Sequence, residues 1–287
     1  MFAVIGIIVL IAMVFGGFAL TGGSLAVVFH ALPHEMLIIG GAGIGALLIG
    51  NSSIELKDLG AGVGKVFTGP RYAKQDFLDS MFLVSRLMKL LRMEGPVAVE
   101  PHIEEPAASP LFAEYPNLNK DQVLIRLICD TLRLVVVSSG SLEPHVVEEV
   151  MDQAIKTHVY QMMKPAEGLR GMADALPALG IVAAVLGVVK TMASIDKPPE
   201  VLGAMIGSAL VGTFLGVFLA YGLVGPFANR ARSVTHADAA IYQVVKQIII
   251  ASLHGYPQPL VIEAARAGIE HPNQPSFAEV FDGLRGR

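Results

Sequence analysis

Few side chains in the apolar parts of this chain could bind an ion or exchange a proton. The four apolar segments cover residues 2–20, 35–50, 176–192 and 201–224. No acidic or basic residue lies in the interior of any of them, since Glu35 and Asp174 stand at the edges. The last segment offers the hydroxyl groups of Ser208 and Thr213, although Thr213 could simply bond to a carbonyl of its own helix. An ion path through a bilayer needs a protonatable or coordinating group at depth, so its carboxylate is expected to come from another polypeptide.

Motifs that would indicate catalysis are missing from the sequence. We find no Walker phosphate loop, no dinucleotide-binding glycine motif, no HExxH zinc motif and no nucleophile elbow. Cys129 is the only cysteine, so no internal disulfide can form, and we expect it to be a buried apolar side chain. The net charge of −4 gives no reason to expect nucleic-acid binding. The sequence therefore predicts neither an enzyme nor a cofactor or metal site.

The composition indicates a protein of the membrane. Hydrophobic residues make up 53% of the chain and charged residues 16%, whereas soluble domains carry about 25% charged residues. The apolar excess is concentrated in the segments named above, whose lengths are close to that of a membrane span. The first segment lacks a basic leader and a small-residue cleavage site, so we expect an uncleaved first helix.

The positive charges predict how the chain is oriented. Of the 21 lysines and arginines, 13 lie between Lys57 and Arg170 and 6 between Arg230 and Arg287. Positive residues favour the cytoplasmic side. We therefore expect a multi-pass protein of the inner membrane, with both termini cytoplasmic and with short periplasmic loops at residues 21–34 and 193–200.

The remaining periodicity predicts an all-α fold with four transmembrane helices and a helical cytoplasmic domain. Helical spacing of apolar residues occurs at 73–93, 120–138, 143–163, 228–253 and 260–269. A proline-rich connector is expected at residues 96–116. The predicted domains are residues 1–50 with spans one and two, 51–175 as a cytoplasmic helical domain, 176–225 with spans three and four, and 226–287 as a cytoplasmic C-terminal helical segment.

Small residues and two prolines mark the last two spans. Gly180 and Ala184 in the third span, and Gly212 in the fourth, belong to sets of small residues spaced four apart. This spacing lets another backbone approach one helix face, either within this chain or in an oligomer or partner. Pro177 is expected to open the third span and Pro226 to close the fourth; helix capping and a movable hinge both remain open for them.

Several stretches resemble the MotA/PomA family of flagellar stator proteins, over nearly the whole chain. They are VFGGF at 14–18, TGGS at 21–24, GGAGIG at 40–45, LPALGIVAAVLGVV at 176–189, LVGTFLGVFLAYG at 210–222 and PSF at 275–277. The resemblance implies a stator subunit that forms an ion channel with a partner and converts ion flow into torque on the rotor. The implied partner is a MotB-like single-span protein that binds peptidoglycan and carries the ion-binding Asp. A ring of these subunits, in contact with membrane lipid, would surround two copies of that partner.

The resemblance also implies roles for single residues. Arg92 and Glu100 match the charged residues that engage the rotor, a FliG-like switch protein. Pro177 and Pro226 match the two prolines that couple ion flow to torque.

Two further matches concern the ion path. Thr213 matches the threonine that faces the partner's aspartate. Ala184 stands where sodium-driven members have a threonine, and a methyl group cannot replace a hydroxyl as a ligand of sodium. The resemblance therefore favours protons as the transported ion.

An alternative is a proton-driven energiser of outer-membrane processes of the ExbB/TolQ type, which has a similar architecture but usually three spans. A subunit of a solute permease is a second alternative, but the spans offer no polar site near the midplane. Four spans and the charges near Arg92 and Glu100 favour the stator.

Overall fold

A computed structural model describes residues 2–138 and 142–285, and within these ranges every regular element is helical. The helices are α1 Phe2–Leu20, α2 Leu25–Gly50, α3 Ser53–Thr68, α4 Lys74–Glu94, α5 Pro96–Glu104, α6 Pro110–Ala113, α7 Pro116–Asn119, α8 Gln122–Val137, α9 Pro144–Met192, α10 Pro199–Val217, α11 Gly225–Leu253, α12 Gln258–Ala267 and α13 Phe277–Arg285. A π-helical segment, Phe218–Val224, joins α10 to α11, and a 3₁₀ turn spans His271–Asn273. The all-α prediction is confirmed.

Membrane-spanning helices are evident in the described part of the chain. Four helical runs are long and apolar enough to cross a bilayer: Phe2–Leu20, Leu25–Gly50, Pro144–Met192 and Pro199–Leu253. Helix α1 buries none of its side chains within the chain, as suits a helix whose surroundings are as apolar as itself. The prediction of four spans is confirmed.

The second span begins earlier than predicted. Helix α2 starts at Leu25 and continues through Pro33, so residues 21–24 alone connect it to α1 and the predicted loop at 21–34 is wrong. A proline is tolerated inside a membrane helix because neighbouring groups satisfy the backbone carbonyl that it leaves unpaired. Glu35 therefore lies well inside helix α2 and not at its end.

The third span is part of one helix of 49 residues, α9, which runs through Pro165 and Pro177. The prediction that Pro177 opens a helix is therefore wrong. The pattern at residues 143–163 and the third apolar segment belong to the same helix, although proline removes a hydrogen bond and crowds the preceding turn.

The helix that contains the fourth apolar segment continues past Pro226. This proline is the second residue of α11, and only Gly225 separates it from the π-helical segment Phe218–Val224. A π-helical turn is wider than an α-helical turn, so it leaves room for a ring that would otherwise clash with the carbonyl four residues earlier. The helix thus passes the proline without a break in secondary structure.

The chain forms two compact units, each made of two separate segments. We call Met1–Gly69 with Met162–Val234 the membrane unit, and Pro70–Gln161 with Thr235–Arg287 the soluble unit. The membrane unit contains the apolar parts of all four candidate spans together with α3.

Glycines allow α9 and α10 to touch backbone to backbone in the membrane unit. A Cβ atom placed on Gly180 would lie 2.8 Å from the carbonyl oxygen of Gly212, and one on Gly216 would lie 2.7 Å from the carbonyl oxygen of Leu176. A Cβ on Gly187 would lie 2.5 Å from that of Ala209. These small residues serve packing within the chain, which is one of the two alternatives that their spacing left open.

The soluble unit matches most of the predicted helices, namely α4, α8 and α12. Helix α4 ends at Glu94 and is followed by the C-cap residue Gly95, whose φ of 86° is readily adopted only by glycine. The connector predicted at residues 96–116 is instead largely helical, because Pro96, Pro110 and Pro116 each begin a short helix. The fixed φ of proline and its missing N–H suit the first helical position.

A buried carboxylate, Asp121, organises the interior of the soluble unit. It caps α8 by accepting the N–H groups of Val123 and Leu124, and it accepts the hydroxyl groups of Tyr72 at 2.5 Å and Tyr242 at 2.8 Å. Burial alone would raise the pKa of Asp121, but these hydrogen bonds and the nearby Arg71 together lower it below its ordinary value. Asp121 is therefore ionised and links α8 to α11.

We expect D121N to reduce the free energy of unfolding by about 1–3 kcal/mol, because charge-assisted hydrogen bonds become neutral ones. The pKa of Asp121 is lower in the folded state, so its contribution is complete above the unfolded pKa of about 4 and disappears as the pH falls through the folded value. Chemical denaturation in detergent at several pH values measures both effects. D130N, at an exposed aspartate of α8, is the control and should cost less than about 0.5 kcal/mol; equal costs would contradict the role of Asp121.

We expect G180A to reduce the free energy of unfolding by about 1–3 kcal/mol, because the new methyl group meets backbone atoms that cannot move aside independently. The matched control is G203A on α10, where an added Cβ meets nothing within 4 Å. Thermal unfolding of the two variants in the same detergent compares them. If G180A is as stable as G203A, the close approach of α9 and α10 is not a constraint.

Candidate functional site

The carboxyl group of Glu35 is buried where α2 packs on α10. Glu35 is 6% exposed, and its Oε2 atom has no hydrogen-bonding partner. A Cβ on Gly212 of α10 would lie 2.6 Å from that oxygen and 3.3 Å from the Cβ atom of Ala183. Leaving a buried polar atom unpaired costs about 1–3 kcal/mol. The membrane unit thus contains an acid that the sequence analysis had placed at the membrane edge.

A periodic pattern in α2 could have revealed this acid. The buried residues of the helix are Val28, Ala31, Glu35, Ile39 and Gly43, which are spaced three and then four residues apart. This spacing defines one helix face. The polar residues His30, His34 and Glu35, together with Pro33, suggested a loop and obscured that face.

The residues expected to line the ion path flank the contact between α9 and α10. Thr213 follows Gly212 on α10, and Ala184 follows Ala183 on α9; both side chains are half-buried. Ala183 is 1% exposed and lies against Gly212. Thr213 and Ala184 are therefore next to the point where the two spans touch, and their faces are open in part.

The two prolines lie at structurally different places. Pro177 follows Leu176, whose carbonyl oxygen is closely approached by Gly216 of α10. Pro226 is exposed and follows Gly225, where an added Cβ would lie 2.8 Å from the carbonyl oxygen of Ala220. Pro177 is thus adjacent to the packed glycine contact, and Pro226 to the π-helical turn.

Arg92 and Glu100 are exposed charges on consecutive helices of the soluble unit. Arg92 lies in the last turn of α4, and Glu100 lies in α5 just beyond Gly95. Among the described residues, neither forms an ion pair. Their charges are therefore available to another molecule.

Other charged residues in this part of the soluble unit differ from Arg92 and Glu100 because they form ion pairs with each other. Arg86 pairs with Glu114 at 2.6 Å, and Arg133 pairs with Glu104 at 2.6 Å. These pairs raise the pKa of each arginine and, for the second pair, lower the pKa of Glu104. Arg86 and Arg133 are thus engaged by acids of the same chain, whereas Arg92 is not.

A groove of about 850 Å³ runs beside Arg92. The end of α4 supplies Met88, Lys89 and Arg92, and the far side is formed by residues such as Leu253 and Tyr256. It is open to solvent and has apolar walls with basic groups on one side. A segment of another protein with an acidic and apolar surface would fit this chemistry.

The described residues contain neither a reactive thiol nor a cluster suited to binding a metal ion. Cys129 is buried, and burial raises the pKa of its thiol to about 12, so it is protonated and unreactive. Within the described ranges, no cluster of three or more histidine, cysteine or acidic residues could hold a metal ion.

Comparisons with known proteins agree over the whole chain. Residues 4–95 match the model for the N-terminal part of motility protein A, and residues 119–243 match the MotA/TolQ/ExbB proton channel family. Motility protein A of Salmonella typhimurium is 39% identical over 99% of this chain and 95% of its own length.

Two solved structures share the fold. The MotAB structure of C. jejuni has a TM-score of 0.72 at 17% identity, covering 96% of this chain and 98% of the other. The flagellar MotAB stator complex of Bacillus subtilis has a TM-score of 0.67 at 24% identity, covering 91% and 92%. The full-length identity and the shared four-span helical fold place this chain in the motility protein A family.

Proposed function

We propose that this protein is a stator subunit of a flagellar motor, which forms a proton channel with a single-span partner and converts proton flow into torque. The observation that carries the proposal is its 39% identity to a motility protein A over 99% of the chain. The match at residues 4–95 is to a model specific for motility proteins. The model matched at 119–243 also includes TolQ and ExbB, so the match at residues 4–95 favours the motor over the energiser of outer-membrane processes.

The partner in this proposal is a MotB-like protein with an aspartate inside its span. The solved structures that share this fold are described as MotAB complexes. Thr213 and Ala184 are only half-buried within the chain, whereas Glu35 is covered by α10. The open faces at Thr213 and Ala184 are thus the ones available to a partner helix that brings its own carboxylate.

Further copies of this chain and membrane lipid would cover the rest of the membrane unit. Large apolar side chains such as Phe2, Leu20 and Ile49 are at least 90% exposed. In a bilayer such surfaces face lipid or other helices. We propose an inner-membrane ring with the soluble unit and both termini in the cytoplasm, as the distribution of lysine and arginine favours.

Torque would reach the rotor through Arg92 and Glu100. Both charges are exposed and unpaired among the described residues, and Arg92 lines a groove that also contains Lys89. The rotor contact is proposed to be a FliG-like protein with complementary charges. Pro177 and Pro226 would couple the ion path to this movement from within α9 and α11.

We expect R92E and E100R each to impair swimming while leaving the amount of protein in the membrane unchanged, because exposed charges contribute less than about 0.5 kcal/mol to stability. Swimming speed and immunodetection in membranes measure the two effects. The matched control is E149K, an exposed acid on α9 of the same unit, which should swim normally. Loss of the protein itself in R92E or E100R would indicate a structural role and contradict a rotor contact.

The transported ion is proposed to be the proton. Ala183 and Ala184 supply no oxygen where a sodium site would need hydroxyl ligands, and dehydrating sodium requires several replacement oxygens. We expect swimming to persist when sodium is removed at fixed pH and to stop when a protonophore is added. Swimming that requires sodium and survives the protonophore would refute the choice of ion and leave the stator proposal intact.

The channel itself is tested by reconstituting the chain with its partner in vesicles and following proton entry with a pH-sensitive dye. Proton flow is expected with both proteins and not after the partner's intramembrane aspartate is changed to asparagine. Proton flow that persists after this change would refute the proposed function.

A further inference from the structure

Glu35 is a buried acid that none of the roles described above uses. It lies at the eleventh position of the 26-residue helix α2, about three turns from its first residue. It is 6% exposed and its Oε2 atom is unpaired. Such a group is costly in a bilayer, and intramembrane acids are rare unless they carry out a function.

The surroundings of Glu35 determine its charge state. On α10 the carboxyl group faces Gly212, which carries no charge, and Gly212 is in turn packed against the uncharged Ala183 of α9. On α2 itself the nearby titratable group is His34, which is exposed. A carboxylate that is buried without a hydrogen-bonding partner is unfavourable in low dielectric, so the packed arrangement favours the neutral acid at Glu35.

The contact between Glu35 and α10 ties this proton to the helix that carries Thr213. The carboxyl group of Glu35 fits against α10 because Gly212 has no side chain. A Cβ atom on Gly212 would lie 2.6 Å from Oε2. If α10 moved away from α2, water could reach the carboxyl group and solvate its anion. Ionisation therefore becomes more favourable when the α2–α10 contact opens.

We propose that Glu35 is a second proton-binding site of the channel, within this chain: it holds a proton while α2 and α10 are packed and releases it to water when they separate. The O–H bond of the carboxylic acid breaks, the electron pair stays on the carboxylate and the proton passes to water in the gap. Re-protonation from water allows the helices to pack again. The inference rests on the proposed function, in that the movement of α10 is taken to accompany proton flow past Thr213.

The test uses the full chain with its single-span partner in lipid vesicles. E35Q keeps the size and hydrogen-bonding ability of the side chain but cannot exchange a proton. E35D keeps an ionisable group with a shorter side chain. The matched control is E200Q, the same chemical change at an exposed acid in the first turn of α10.

Two measurements decide the proposal. Infrared spectra at neutral pH should contain a carboxylic-acid carbonyl band that is lost in E35Q and retained in E200Q. Proton entry, followed with a pH-sensitive dye, should fall roughly 100-fold in E35Q, the lower end of what a positioned proton-transferring group contributes. E35D should conduct at an intermediate rate with an altered pH dependence, and E200Q should conduct normally.

Wild-type conduction by E35Q, or an unchanged carbonyl band in E35Q, would overturn the proposal. If E35Q fails to accumulate in the membrane, E35D is used instead. A carbonyl band and a pH dependence of proton entry identical to those of the wild type would then overturn the proposal. Failure of the proposed function looks different, because then the wild-type complex conducts no protons. The infrared comparison still shows whether Glu35 holds a proton.

Discussion

The lack of water inside a bilayer is the constraint on which the rest of this structure depends. Every backbone N–H and carbonyl group in the membrane unit must be satisfied within the protein, so the chain crosses as helices that continue through prolines instead of stopping at them. Without a hydrophobic force between spans, association relies on close packing, and Gly180, Gly212 and Gly216 make it possible. The unpaired oxygen of Glu35 is conspicuous in this setting because it breaks the general rule.

Charge in the two units follows opposite rules. In the soluble unit Asp121 is buried and fully engaged by two tyrosine hydroxyls and two backbone N–H groups, so its charge maintains the fold. Arg92 and Glu100 are exposed, so water solvates them whether or not a partner is present. A change at Asp121 is thus expected to alter stability, whereas a change at Arg92 is expected to leave stability nearly unchanged and to act through the proposed rotor contact.

The sequence was sufficient for those features that depend on composition and local spacing. Hydropathy predicts the four spans, and the periodicity of apolar residues predicts α4, α8 and α12 within a few residues. Prediction from sequence failed where tertiary surroundings override a local signal: Pro177 lies within a continuous helix, and Pro33 with His34 made the start of α2 look like a loop. The exposure of Arg92 and Glu100 agrees with their expected surface position, but the burial of Glu35 depends on a glycine far away in the chain.

The division of the soluble unit into two chain segments has a consequence for biosynthesis. Asp121 is in the first segment, while its donor Tyr242 is in the second, which is synthesised only after α9 and α10. Because a chain emerges from its N-terminal end, the first segment cannot complete its buried polar network until the last two spans have been made. Lys246 similarly reaches Glu148 and Asp152 only at that stage. A completed soluble unit therefore signifies that translation has passed the final span, and chains that stall earlier leave an unfinished core exposed to proteases.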